Sequence, residues 1–125
     1  MANILVIDDD EELRQVLLNM LHEIGHAAVA ATNGLDGLKQ FRAAPCDLII
    51  TDMMMPYGGL ATIRMLRAEF PKLGIIAMSG GGAHRLDFAR GTGANTTLKK
   101  PFTIEQLKSA IAHAIEGVPP PKPAI

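Results

Sequence analysis

Three carboxylates, a hydroxyl and a lysine carry the chemistry open to this sequence. Asp8 and Asp9 follow the apolar run Asn3-Ile4-Leu5-Val6-Ile7, and Asp52 follows Asp47-Leu48-Ile49-Ile50-Thr51. Ser79 follows the run from Gly74 to Met78, and Lys100 stands just beyond Asn95 to Leu98 and directly before Pro101. Carboxylates gathered at close range repel one another, so they either take up protons or hold a cation. An all-oxygen donor set favours Mg²⁺, Mn²⁺ or Ca²⁺ over zinc or copper. Mg²⁺ takes few protein carboxylates and is completed by phosphate oxygens, which suits phosphoryl chemistry. An aspartate can then be the nucleophile that forms an acyl phosphate. A lysine acts there as a point charge and a serine as a donor to the phosphoryl oxygens.

The elements that must position these groups are legible in the apolar pattern. Short, nearly all-apolar runs that stop at polar residues read as strands buried on both faces of a parallel sheet. Between them Leu13, Val16, Leu17, Met20, Leu21 and Ile24 recur at helical spacing, with Gly25 as a stop. Ala27 to Ala31 reads as a weak strand, and Leu35, Leu38 and Phe41 mark a second helix. Leu60, Ile63, Leu66 and Phe70 mark a third. The fourth helix, before the polar fifth strand, is poorly marked. Thr103 with Gln106 forms a capping box ahead of Ile104, Leu107, Ile111 and Ile115 in the last helix. Strands alternating with helices imply right-handed crossovers and a doubly wound, five-stranded parallel sheet with helices on both faces. In such a sheet the crevice lies beyond the carboxyl ends of the strands, which is where Asp8, Asp9, Asp52, Ser79 and Lys100 fall.

The 125 residues, 48% hydrophobic, suit one domain. Twelve basic against thirteen acidic residues give no overall field for nucleic acid or an anionic membrane, and no run is long enough to span a bilayer. Cys46 is the sole cysteine, and the start of the chain lacks the basic flank and apolar stretch of a secretory signal, so a cytoplasmic location is expected. Residues 1–117 form the expected domain. Residues 118–125, with Val118-Pro119-Pro120-Pro121-Lys122-Pro123, read as an extended tail.

The segments Val6-Ile7-Asp8-Asp9, Asp47-Leu48-Ile49-Ile50-Thr51-Asp52-Met53-Met54-Met55-Pro56, Met78-Ser79-Gly80 and Lys99-Lys100-Pro101-Phe102 together resemble the receiver domains of two-component response regulators. The likeness runs from Asn3 to about Ile115 and is nearest to the stand-alone, chemotaxis-regulator kind. It implies a flavodoxin-like strand order 2-1-3-4-5. It also implies Asp52 as phosphoacceptor, and Mg²⁺, replaceable by Mn²⁺, on Asp8, Asp9, Asp52 and the backbone carbonyl of Met54. Ser79 and Lys100 take the switch and phosphate-contact roles, and the bond before Pro101 is cis. The implied donor is a sensor histidine kinase or a histidine phosphotransfer protein. The implied output is a protein target bound through the face of the fourth helix, fifth strand and last helix, with no direct nucleic-acid or membrane contact. Such a domain is no enzyme in the usual sense; it catalyses only its own phosphorylation and dephosphorylation.

Three departures from the family pattern matter. The loop Tyr57-Gly58-Gly59-Leu60 is one residue short, which shifts the start of the third helix. Thr97 replaces a common switch aromatic. Gly80-Gly81-Gly82 frees the loop after the fourth strand, and Gly80, being small, is expected to leave the phosphoryl site open to water or a partner histidine.

Other readings are weaker. The Asp8-Asp9-Asp10 spacing matches haloacid-dehalogenase-like phosphatases, with Asp8 as nucleophile, but Glu12 stands where that motif has Thr or Val and no cap domain fits. Acids after the first strand would repel a flavin phosphate. A receiver that binds partners without phosphorylation would carry an idle charged cluster at a cost in stability. The chain could also be a fragment of a longer regulator. Asp10 and Glu12 read as helix-cap and solvated charge. The four histidines lack ligand spacing, Cys46 is a passive thiol, and Met53 to Met55 are packing residues. Lys39, Arg42, Arg64, Arg67, Arg85 and Arg90 read as solvated faces. From the three glycines, amide exchange is expected to be fast from Gly80 to Ala89; strong protection there contradicts a free loop.

Overall fold

The computed structural model describes residues 2–53, 59–80 and 91–116. The elements in chain order are β1 (Asn3–Ile7), α1 (Glu11–Glu23), β2 (Ala27–Ala31), α2 (Gly34–Ala43) and β3 (Leu48–Asp52). They continue with α3 (Gly59–Glu69), β4 (Gly74–Ser79), β5 (Thr96–Lys99) and α4 (Ile104–Ile115). Every strand pairing is parallel, in the order β2-β1-β3-β4-β5. The chain is therefore the expected doubly wound α/β sheet. β3 and β4 each run one residue further than the apolar pattern indicates, so Asp52 and Ser79 are the last rungs of ladders rather than loop residues.

Strand alternation divides the core in two. Ile4, Val6, Leu48, Ile50, Ile76 and Met78 face Leu17 and Leu21 of α1 and Leu107 and Ile111 of α4. Leu5, Ile7, Ile49, Ile75 and Ala77 face Leu38 and Phe41 of α2 and Ile63 and Leu66 of α3. Each fully buried Leu or Ile contributes about 1.5–3 kcal/mol, so the three central strands, buried on both faces, form the rigid floor of the molecule. Continued one residue past β1, the same alternation puts Asp8 on the side of Ile4 and Val6, and it puts Asp52 on the side of Leu48 and Ile50.

Local signals fix the helix ends. The Asp10 side chain accepts from Leu13 N at 3.2 Å and starts α1, whose end is followed by Gly25 in the left-handed region at φ 94°. Thr103 and Gln106 form the expected reciprocal cap on α4, at 3.1 and 2.8 Å. The free edge of β2 is partly blocked, because Gln40 Nε2 donates to Ala30 O at 3.1 Å. Val16, Leu35 and Ile115, which the helical periodicity includes in the apolar stripes, are exposed. Each lies beside the buried stripe of its helix, beyond the reach of the sheet.

Arg67 is a second correction, since it is not a solvated residue. Its Nε donates to Gly93 O at 2.9 Å, Nη1 to Pro71 O at 2.8 Å and Nη2 to Asn95 Oδ1 at 2.7 Å. Asn95 Oδ1 in turn accepts from Ile75 N at 2.8 Å. Burial lowers the Arg67 pKa, and the side chain ties α3 to the start of β5. Arg42, by contrast, makes an exposed ion pair with Glu69 at 2.8 Å.

Of the expected fourth helix only Gly91 and Thr92 are described, and both are helical. Gly81, Gly82, Met54, Met55, Tyr57, Gly58 and the tail 118–125 lie outside the described residues. No helix among the described residues is long and apolar enough to cross a membrane. Replacing Arg67 with Met is expected to cost about 2 kcal/mol; urea unfolding should show a lower midpoint at unchanged slope.

Candidate functional site

The carboxyl ends of β1, β3, β4 and β5 meet at one rim. β1 and β3 are neighbours, with Ile7 paired to Thr51, so the residues that follow each of them, Asp8 and Asp52, come side by side. The Asp8 N–H donates to Ala31 O at 3.2 Å, which extends the ladder to β2 by one rung. Lys100 N donates to Ser79 O at 2.9 Å and does the same between β4 and β5. The lysine is thereby delivered to the rim by backbone pairing and not by a flexible loop. The Lys100–Pro101 peptide is cis, as the resemblance implies.

Lys100 Nζ sits between two carboxylates, 3.3 Å from Asp8 Oδ2 and 3.2 Å from Asp52 Oδ2. Asp8 is fully buried and Asp52 is 4% exposed. Buried carboxylates this close are tolerable only when paired and hydrogen-bonded. Asp8 meets that condition on both oxygens, because its Oδ1 accepts from Asp10 N at 2.8 Å while its Oδ2 faces the lysine. Burial, and next the nearby Asp52 charge, raise the Asp8 pKa, while the Asp10 N–H and Lys100 pull it back.

Asp9 is exposed at the mouth of the same group. One carboxylate oxygen from each of Asp8, Asp9 and Asp52 lies within 4.8 Å of the others. The ligands of an octahedral Mg²⁺, bound at about 2.1 Å, stand about 3 to 4.2 Å apart, so this donor set is close to what such an ion draws together. Lys100 offsets one of the three formal negative charges of these carboxylates, and a divalent cation would offset the remainder. Among the described residues, no thiolate or imidazole joins this group to select a soft metal.

Ser79 is buried at the end of β4, one rung beyond Met78, the register partner of Asp52. Gly80 follows it, exposed, and among the described residues nothing lies within 4 Å of where a side chain would stand. At Gly59 a Cβ would overlap the backbone of Asp52 and Met53, so glycine there lets the first turn of α3 close against the end of β3. Thr97 lies mid-strand in β5 and Met53 packs against the α2–α3 side of the core. Met54 lies outside the described residues. Cys46 donates to Leu48 O at 3.3 Å, and burial raises its pKa, in keeping with a passive thiol. His26 is a packing residue whose Nδ1 accepts from Ala2 N at 3.0 Å.

One residue at the rim went unnoticed in the sequence. Arg14, one turn into α1, donates from Nη1 to the main-chain oxygen of Asp8 at 2.8 Å. A lone arginine on a polar helix face carries no signal that separates it from solvated charge.

With this geometry in view, comparison with known proteins is specific. The family model for the response regulator receiver domain matches residues 4–112. The chain belongs to the response-regulator receiver family. Its relatives include a probable chemotaxis protein CheY of Rhizobium etli, 33% identical over 86% of this chain and 88% of that one. The DNA-binding transcriptional regulator NtrC of Azospirillum brasilense is 35% identical over 96% of this chain but 25% of its own length. The receiver thus spans a quarter of that relative, and 49% of the probable C4-dicarboxylate response regulator DctR of Priestia megaterium. A receiver domain structure from Clostridium thermocellum superposes with a TM-score of 0.86 at 32% identity, covering 93% of this chain and 95% of the other. TrrA of Thermotoga maritima, solved in complex with Mg(2+)-BeF, gives 0.82 at 31% identity over 90% and 97%.

Because burial raises the Asp8 pKa, the folded chain binds that proton more tightly than the unfolded chain. The stability this contributes is therefore fully present below the pKa of the unfolded carboxyl and is lost as pH rises through the folded pKa. In metal-free buffer above the folded pKa of Asp8, Asp8→Asn is expected to raise the thermal midpoint by about 3 °C. The gain should vanish below the pKa of the unfolded carboxyl.

Proposed function

We propose that this receiver takes a phosphoryl group onto Asp52 from a phosphohistidine of a sensor kinase or phosphotransfer protein, and that the acyl phosphate changes its affinity for a protein target. The observation that carries this reading is the Lys100 ammonium held within 3.3 Å of both Asp8 and Asp52 at the carboxyl rim of the sheet. An Asp52 carboxylate oxygen attacks phosphorus, a new P–O bond forms as the P–N bond breaks, and the imidazole leaves with the bonding pair. Lys100 offsets the charge on the transferred oxygens and Ser79 donates to one of them. Asp8, Asp9, Asp52 and the Met54 carbonyl would hold Mg²⁺, or Mn²⁺ in its place, which supplies neutralisation of phosphoryl charge. Water attack on the same phosphorus restores Asp52, and the lack of a side chain at Gly80 favours its access.

Output belongs on this reading to the surface around β5 and α4. An open groove of about 380 Å³ lies there, bounded by Thr97, Lys99, Gln106, Ser109 and His113. Residues 1–117 act as the switching unit and 118–125 as a tail, in the cytoplasm, with signalling and not turnover of a small substrate as the role. A phosphatase with Asp8 as nucleophile is disfavoured, because both Asp8 oxygens are engaged and the residue is fully buried.

Intact mass after incubation with acetyl phosphate and Mg²⁺ tests the proposal. Wild type is expected to gain one phosphoryl group, Asp52→Asn and EDTA-treated protein to gain none, and Asp8→Asn to gain it slowly. Absence of uptake by wild type overturns the reading in favour of a binding module that works without phosphorylation.

A further inference from the structure

The β1–α1 turn is held by more bonds than helix initiation requires. Asp10 serves the helix: its side chain caps α1 through Leu13 N, and its carbonyl takes the Arg14 amide at 2.9 Å. Its own N–H faces the other way and binds Asp8 Oδ1. The Asp8 amide is spent on Ala31 O, and its second carboxylate oxygen faces Lys100. The main-chain oxygen of Asp8 is the remaining polar group of that residue, and the Arg14 guanidinium reaches back six residues to bind it at 2.8 Å. The peptide plane that joins Asp8 to Asp9 is thus fixed at its oxygen, and rotation of this plane is the motion that would swing Asp9 away from Asp8 and Asp52.

The geometry points to Arg14 as a positioning residue: by pinning the Asp8 carbonyl it holds the Asp8 and Asp9 carboxylates in the spacing that a divalent cation needs. This inference rests on the cation-dependent function proposed above. Coulomb's law makes the opposite demand of the same side chain. A fixed positive charge near an acidic cluster weakens cation binding, and its removal by that effect alone would tighten it. Positioning and simple charge therefore predict opposite signs, and residues that orient metal ligands typically cost ten- to a hundredfold in affinity when lost.

The experiment is calorimetric titration of the protein with MgCl₂, at fixed ionic strength, for wild type, Arg14→Met and Arg14→Lys, with urea unfolding of each in EDTA. Arg14→Met is expected to weaken Mg²⁺ binding about tenfold with an unfolding midpoint close to wild type. Arg14→Lys, which keeps a cationic donor, is expected to recover most of that loss. Unchanged or tighter binding by Arg14→Met overturns the inference, as does weakening that is accompanied by a matching fall in the urea midpoint, which reports a merely structural role. A double-mutant cycle with Asp9→Asn gives a readout independent of fold, since a residue that acts by placing Asp9 loses its effect once that carboxylate is neutral; full additivity is a further contrary result. Failure of wild type itself to bind Mg²⁺ strikes the proposed function and not the placement of Arg14 alone.

Discussion

One ammonium group between two buried carboxylates sets the terms for the rest of this molecule. Lys100 and Asp8 are 92 residues apart in sequence, and Asp52 lies between them, so nothing local brings the three together. Without the lysine, two buried carboxylates would face each other with like-charge repulsion and the cost of burial uncompensated. The sheet order meets this demand directly. β1 and β3 are adjacent and place the two acids side by side, and β5 follows β4 at the far side to bring the cation across.

The same arrangement is stable without being satisfied. Lys100 offsets one of three negative charges, and burial first, with the nearby Asp52 charge after it, raises the Asp8 pKa. A site with residual like-charge repulsion responds strongly to a cation or to new charge on Asp52, because either changes the balance that holds the strand ends. The floor beneath it does not yield in the same way. Leu5, Val6, Ile49, Ile50, Ile75 and Ile76 are packed on both faces, and a close-packed interior passes displacement on rather than absorbing it. A change at the rim therefore meets a floor that does not absorb it.

Second-tier contacts decide how accurately the rim is built. Gly59 lets α3 close on the end of β3. Arg67 and Asn95 lock the start of β5 to α3 and β4, and hence the register that carries Lys100 to its place. Arg14 fixes the carbonyl of Asp8. None of these residues belongs to the carboxylate and lysine group, yet each contacts the strand or turn that carries a member of it.

The sequence alone determined the layered fold and the identity of the rim residues. Buried parallel strands are continuous apolar runs, helices show their period and caps, and a carboxyl-end crevice follows from the alternation, so Asp8, Asp9, Asp52, Ser79 and Lys100 were readable as a group. Asp10 as a cap and the Thr103–Gln106 box were readable for the same reason, since each is a contact within four residues. Tertiary structure decided what rests on contacts distant in sequence or on the width of a buried face. It separated fully buried Asp8 from exposed Asp9, which are chemically identical neighbours. It left Val16, Leu35 and Ile115 outside the core despite their periodicity, and it gave Arg67 and Arg14 partners that no spacing announces. Arginine on a helix looks the same in sequence whether it meets water or a backbone carbonyl, because the difference lies in which strand end the fold brings beneath it.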